Sequence, residues 1–315
     1  MPTKNDARVS RVAVVGTGLI GAGWAAHFLA HGLDVIATDP APNAKEKLIE
    51  FVDRVWPLLE QLGLHKDAAR DRLRFTPDMR EAVAEADFVQ ENAPERIQAK
   101  IDLFAAMDAV APPAVILASS SSGLMMSAIQ SGCRHPERCV IGHPFNPPYL
   151  IPLVEVVGGA KTSAESISKA MTFYTDSGKR PIHILKELPG HIANRLQAAL
   201  WREALYMVDE GVASVADVDA AVSWGPGLRW GVMGPSLTFH LAGGRGGISY
   251  FLDHLTGPLR TWWEPLGKAE LTPQLISKLI QGVADEAGDR SIEALNLERD
   301  RVVMGLLKLR RENPE

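Results

Sequence analysis

Cysteine is almost missing from this chain: two residues, Cys133 and Cys139, in 315. That excludes a disulfide framework and leaves no second pair for a zinc site, so a reducing cytoplasm is the expected compartment and no metal is expected. Charge of one sign is missing as well. The formal net charge is −5, which gives nothing to draw nucleic acid or an anionic membrane non-specifically. Long apolar runs are absent near the start, where the first one stops at a glycine after a few residues. The opening segment also lacks the basic, apolar, small-residue layout of a signal peptide, so neither a leader nor a membrane span is expected. Aromatic residues make up only 6%, yet seven of them are tryptophan. Five of those lie beyond residue 200.

What is present is an ordinary globular mixture, 46% hydrophobic and 23% charged, in a chain long enough for two domains. The first half alternates short apolar runs with amphipathic stretches. Strands are expected at residues 11–15, 34–38, 86–91, 115–119, 139–143 and 153–157, with helices at 19–32 and 43–62. That alternation implies an α/β fold with a mostly parallel, Rossmann-type sheet covered on both faces. Beyond Leu188-Pro-Gly190 strand signals cease, and helices are expected at 192–211, 215–222, 237–242, 274–287 and 291–310. The expected domains are therefore 1–188 and 189–315, the second all-helical. Disorder is expected only in the first and last few residues.

Gly16-Thr17-Gly18-Leu19-Ile20-Gly21 follows the first strand and opens a helix. Glycines at these positions allow a tight turn, a close backbone approach to a pyrophosphate, and close packing of helix on strand. The second strand ends in Asp39, whose carboxylate suits the adenosine ribose hydroxyls and repels a 2′-phosphate. NAD is the expected cofactor. No later segment resembles the second half of a flavin site. The alternative reading of these residues is a tight turn followed by an aspartate that caps the next helix.

Three further segments put polar groups where an open parallel sheet presents ligands. These are Ser119-Ser-Ser-Ser122, Gly142-His143-Pro-Phe-Asn-Pro-Pro, and Glu155 inside the apolar run Leu153-Val-Glu-Val-Val157. A carboxylate in such a run is costly unless paired. His143, twelve residues earlier across a loop with four prolines, is its expected partner. A histidine oriented by a carboxylate is suited to act as general base toward an alcohol. The bland alternative is a histidine bound to a backbone carbonyl and a glutamate on a solvated strand face. No serine lies in a nucleophile elbow, which argues against a serine hydrolase.

Together, GTGLIG, Glu91-Asn92-x-x-Glu95, the serine run, His143-Pro-Phe-Asn-Pro, Leu153-Val-Glu155-Val and Pro189-Gly-x-Ile-x-Asn194-Arg195 resemble the short-chain 3-hydroxyacyl-CoA dehydrogenase superfamily. The resemblance implies an NAD-dependent dehydrogenase in which His143 is the base, Glu155 its partner, and Ser122 and Asn194 hydrogen-bond the reacting oxygen. It places Glu91 and Arg96 near the nicotinamide half of the cofactor and implies a helical domain that closes the site and dimerises.

Two departures bear on substrate. No lysine stands between Lys47 and Lys66, where acyl-CoA enzymes of the superfamily contact CoA, and Pro57 is expected to end or kink the helix there. The usual Asn-Thr-Ser run is replaced by Ser120-Ser121-Ser122. With Trp224-Gly-Pro-Gly227-Leu-Arg229-Trp230, the loop Gly243-Gly-Arg-Gly-Gly247 and the pair Trp262-Trp263, the C-terminal half resembles the branch acting on L-carnitine and, more distantly, the λ-crystallin and L-gulonate 3-dehydrogenase branch. A trimethylammonium substrate is held by aromatic faces, for which Trp224, Trp230, Phe239 and Trp263 are the candidates; their alternative role is core or interface packing. Arg195, Arg229 and Arg245 are the candidates for a substrate carboxylate. A 3-hydroxyacyl-CoA or L-gulonate substrate, or a crystallin-like protein that binds NAD without turnover, are the other readings.

Overall fold

The run Arg-Val-Ala-Val-Val at 11–15 is apolar throughout because both of its faces are covered. Val12 and Val14 enter one buried cluster with Trp24, Phe28 and Phe88, whereas Ala13 and Val15 enter another with Phe104, Met107 and Leu117. This period-two division is what a central strand of a double-layered α/β sheet requires. The computed structural model describes residues 9–313; the termini expected to be disordered lie outside the described residues.

The strands are β1 (Arg11–Val15), β2 (Asp34–Thr38), β3 (Leu73–Phe75), β4 (Phe88–Glu91), β5 (Ile116–Ser119), β6 (Cys139–Pro144), β7 (Leu153–Gly158) and β8 (Arg180–Ile184). They form one sheet in the order β3-β2-β1-β4-β5-β6-β7-β8. All neighbouring pairs are parallel except β6 with β7, which are antiparallel. The order reverses at β1, flanked by β2 and β4, which is where such sheets open a crevice for a ligand.

Six helices accompany these strands: α1 (Leu19–Ala30), α2 (Ala44–Leu62), α3 (Met79–Ala84), α4 (Ile97–Asp108), α5 (Met126–Ile129) and α6 (Ala164–Asp176). Helix α1 is buried from Gly21 to Ala30, with Trp24 stacked on Phe28 at 5.0 Å. Each of these rings stabilises the fold by about 2–3 kcal/mol through burial.

Three sequence expectations change here. Pro57, expected to end or kink its helix, does not end it, because α2 continues from Ala44 to Leu62. A mid-helix proline loses its backbone hydrogen bond and crowds the carbonyl four residues back, and the buried Phe51, Val52, Val55, Trp56 and Leu59 hold both halves of α2 in place against that cost. The strands β3 and β8 were not anticipated. β3 is only three residues long. β8 is a largely exposed edge strand containing Pro181, a residue tolerated at an edge but not in a central strand.

Contacts divide the chain after Asn194 into two compact units. The second unit contains most of α7 (Ala193–Asp209), then α8 (Val215–Trp224), α9 (Pro226–Trp230), α10 (Pro235–Ala242), α11 (Gly247–Trp263), α12 (Pro273–Ala287) and α13 (Ile292–Glu312). Leu205, Val208, Val215, Val218 and Leu275 make its buried cluster. The segment 224–230, expected to lie between helices, forms the end of α8 and the short helix α9, with Pro226 in its first turn. Helix α11 was also missed, because Gly257 and Pro258 interrupt its apolar pattern.

One buried lysine secures the connection from β6 to β7. The Lys179 amino group donates to the carbonyls of Pro148 and Ile151, the latter at 3.0 Å, and lies 4.8 Å from the centroid of the Trp24 ring. Burial pulls its pKa down to about 7, whereas an unfolded lysine titrates near 10.4. Between those values the unfolded chain binds the additional proton, so stability rises with pH across that window. Urea unfolding between about pH 7 and pH 10 should show a rise approaching 1.4 kcal/mol per pH unit. The Lys179→Met variant should flatten it.

Candidate active site

The antiparallel register of β6 and β7 sets His143 directly opposite Glu155. Side chains opposite one another on adjacent strands share a face, and the His143 Nδ1–H donates to Glu155 Oε2 at 2.9 Å. Glu155 is completely buried and His143 is 6% exposed. The other carboxylate oxygen, Oε1, accepts from the backbone N–H groups of Ile192 and Ala193, both at 2.9 Å. These amides stand at the start of α7, where a helix has N–H groups without internal partners and carries partial positive charge. Burial by itself would raise the Glu155 pKa. The hydrogen bonds from His143, Ala193 and Ile192 outweigh it and hold the carboxyl below the ordinary range. With Nδ1 committed to Glu155, His143 has Nε2 left for proton exchange.

The serine run at the end of β5 is divided among different duties. Ser119 Oγ donates to Glu91 Oε2 at 2.5 Å. Ser120 Oγ receives Trp24 Nε1–H and Gln90 Nε2–H and donates to Asn92. Ser121 Oγ donates to Glu95 Oε1 at 2.6 Å, an oxygen that also accepts from the Ser122 and Gly123 amides at 3.0 and 2.9 Å. Burial opposes ionisation of Glu95, but these donors keep its carboxyl below the usual range. Ser122 is exposed, held by its backbone rather than its hydroxyl, and Asn194 is half-buried in the first turn of α7.

Glu91, expected beside the nicotinamide, is instead fully enclosed. Its carboxylate receives Lys100 Nζ at 2.8 and 3.0 Å and the Ala93 amide at 2.5 Å. Arg96 is the exposed residue immediately before α4. The importance of Glu95 and Lys100 was not apparent from the sequence. Glu95 stood in a quoted motif without a role, and the pairing of Lys100 with Glu91 depends on β4 and α4 meeting in the fold. His191 was missed too. It is buried, its Nε2–H donates to the Ser121 carbonyl at 3.0 Å, and its ring centroid lies 5.2 Å from that of His143.

Beside the end of β4, where Gly16 packs against the Asn92 backbone, the glycine loop leaves room for a charged ligand. Gly16 has φ +89, and a Cβ on Gly21 would stand 1.9 Å from the Gly16 carbonyl oxygen, whereas a Cβ on Gly18 would meet nothing within 4 Å. Thr17, Leu19 and Ile20 complete the turn; Leu19 is 60% exposed. The N-terminus of α1 has no side-chain cap and no acidic residue in its first turn, so its amides are available to an anion. Asp39 braces the loop: Oδ2 accepts from the Thr17 amide and hydroxyl at 2.7 and 3.1 Å, and Oδ1 from the Ala41 amide at 2.8 Å. A carboxylate retains lone pairs beyond these bonds. The site therefore fits a pyrophosphate with an adjacent ribose. A separate hollow of about 550 Å³, walled in part by Leu48, Ile49, Leu73 and Phe75, lies at the β3 edge.

The aromatic candidates are not gathered into a cage within the helical unit. Trp224 and Trp263 are 78% and 61% exposed, and Trp230 and Phe239 are each 39% exposed. Phe239 stacks on Phe251 at 4.7 Å. Among the described residues no aromatic pair joins any two of the four. Arg195, Arg229 and Arg245 are exposed.

Gly21→Ala should weaken NAD binding at least tenfold, about 1.4 kcal/mol, because the new methyl would displace the Gly16 turn. Calorimetric titration with NAD measures this.

Family comparisons agree with the two-part organisation. The model of the 3-hydroxyacyl-CoA dehydrogenase NAD binding domain matches residues 11–188, and that of the 3-hydroxyacyl-CoA dehydrogenase C-terminal domain matches residues 190–286. A relative from Streptomyces griseus subsp. griseus named L-carnitine dehydrogenase is 53% identical over 300 residues, covering 95% of this chain and 90% of its own. One of the same name from Pseudomonas putida is 49% identical, covering 95% and 94%. A solved structure described as 5-formyl-3-hydroxy-2-methylpyridine 4-carboxylic acid 5-dehydrogenase, an NAD+-dependent dismutase, superposes with a TM-score of 0.84 at 30% identity, covering 98% of this chain and all of the other. The chain belongs to the 3-hydroxyacyl-CoA dehydrogenase family and is an NAD-dependent oxidoreductase.

Proposed function

We propose that this protein oxidises the 3-hydroxyl of L-carnitine to 3-dehydrocarnitine, with His143 as general base. The observation that carries the chemical half is the 2.9 Å bond from His143 Nδ1 to the buried Glu155. His143 takes the hydroxyl proton at Nε2, and the Glu155 carboxylate stabilises the imidazolium so formed. Ser122 and Asn194 orient the substrate oxygen. NAD, when bound, supplies the hydride acceptor. Gly16, Gly18, Gly21 and the start of α1 hold its pyrophosphate, Asp39 its ribose, and Arg96 lies toward the nicotinamide half.

The choice of carnitine is supported by the names of the relatives. It is also supported by the absence of lysine from α2 beyond Lys47, which leaves Arg54 as the one cation of that stretch. The residues from 189 onward form the substrate and dimerisation domain, with Trp224, Trp230, Phe239 and Trp263 as candidate contacts for the trimethylammonium group. The protein works in the cytoplasm, in keeping with two free thiols, and no described helix is long and apolar enough to cross a membrane.

It works as a homodimer. On α13 only Asp300 and Met304 are buried, while Leu297, Val302, Leu306 and Leu309 are 40–63% exposed. Apolar surface on this scale calls for a partner surface. Light scattering should give a mass near twice 34.2 kDa; a monomer at micromolar concentration would refute the dimer.

NADH formation followed in parallel with L-carnitine, L-gulonate and 3-hydroxybutyryl-CoA should show turnover of carnitine. Activity with the thioester alone would overturn the substrate, and activity with none would favour a protein that binds NAD without catalysis. His143→Ala should lower turnover by roughly 10²–10⁴-fold with NAD affinity nearly unchanged. Near-normal turnover in that variant would remove His143 as the base.

A further inference from the structure

His191 combines three features that structural duty alone does not explain. Its backbone is left-handed, with φ +51, a region that few non-glycine residues enter, asparagine, aspartate and histidine more often than the rest. The side chain is only 2% exposed. Its Nδ1 is buried and has no hydrogen-bond partner among the described residues. Leaving an acceptor buried and unpaired costs about 1–3 kcal/mol, so a group absent from the chain itself is the natural partner.

The chemistry of the two ring nitrogens is set by their surroundings. Nε2 faces the Ser121 carbonyl at 3.0 Å and must carry the proton, which leaves Nδ1 as a bare lone pair in the neutral ring. Burial holds His191 toward that neutral form, and a positive charge on His143 reinforces this; the Ser121 carbonyl, Glu155 and Glu95 act in the opposite sense. An imidazole so placed accepts a hydrogen bond without taking the proton. Its neighbours are the parts of the site: the His143 ring at 5.2 Å, the serine loop through Ser121, and the Ile192 and Ala193 amides that grip Glu155.

We propose that His191 is a positioning residue for the reaction, whose bare Nδ1 accepts a hydrogen bond from an O–H group held beside His143. That group is an ordered water, whose second hydrogen is free for the substrate oxygen, since the substrate hydroxyl gives its own single proton to His143. The inference rests on the reading of His143 as the base, and its test is independent of turnover by that base.

In protein labelled with ¹⁵N-histidine, the His191 Nδ1 resonance is assigned by its loss in His191→Asn. It should lie upfield of a bare imidazole nitrogen. An upfield resonance in the free protein, or one that appears when L-carnitine is added without NAD and orders the water, supports the proposal. A resonance at the bare position in both conditions overturns the proposal, whatever His143→Ala shows. As a second measure, His191→Phe should lower kcat by roughly one to two orders of magnitude. His191→Asn tolerates the left-handed backbone and retains both a donor and an acceptor, so it should recover part of that loss. Equal, near-normal kcat in both variants would also overturn the proposal.

Discussion

A carboxylate taken out of water and set in the middle of a sheet costs several kcal/mol unless donors replace the water it loses. Glu155 meets that condition with three donors from two other elements: the imidazole of β6, opposite it on the sheet, and two amides at the start of α7. The same three bonds that make the charge tolerable fix the histidine tautomer, the ring direction and the place where α7 begins. None of these can shift while the carboxylate stays ionised and buried. His143 is therefore positioned by an electrostatic requirement of the fold.

The neighbouring strand ends are fixed by the same device. Glu91 is enclosed with Lys100 and Ser119, and Glu95 gathers the Ser121 hydroxyl and two successive amides. Together with Glu155 these are three acidic side chains, each held by donors from a different element. They tie β4, β5 and the β6–β7 pair along one edge of the sheet, where an open α/β fold presents ligands. Replacing any of these acids with an apolar residue would do more than remove a charge, because the donors it satisfies would be left buried or unpaired.

How legible this was in the sequence depends on distance along the chain. The glycine turn and the His143–Glu155 pair were readable because each is local. A glycine spacing is set within six residues, and two residues twelve apart across a reversal fall opposite one another when the intervening loop allows it. Lys100 with Glu91, and His191 with Ser121, were not readable, since each joins elements brought together only by the folded sheet. Pro57 misled for a related reason. Local propensity opposes a proline in mid-helix, and it is overridden by the apolar face of α2 that packs on either side of it. The edge strand β8 escaped because a strand exposed on its outer side needs no apolar alternation.

The two units differ in how their physical requirements are met. In the first, the buried carboxylates are satisfied by donors inside the unit, and two apolar clusters fill both faces of the sheet. In the second, a small cluster of five residues is buried while tryptophans and leucines on α8, α11 and α13 stay exposed. Catalytic geometry needs bonds of fixed length and direction, which a single unit can supply from its own residues. Apolar surface specifies only that water be excluded, and a substrate methyl group or a second subunit can meet that demand equally well. The tryptophan excess of the C-terminal half is therefore a weaker guide to substrate than the buried carboxylates are to chemistry, because its physics names no direction and no single partner.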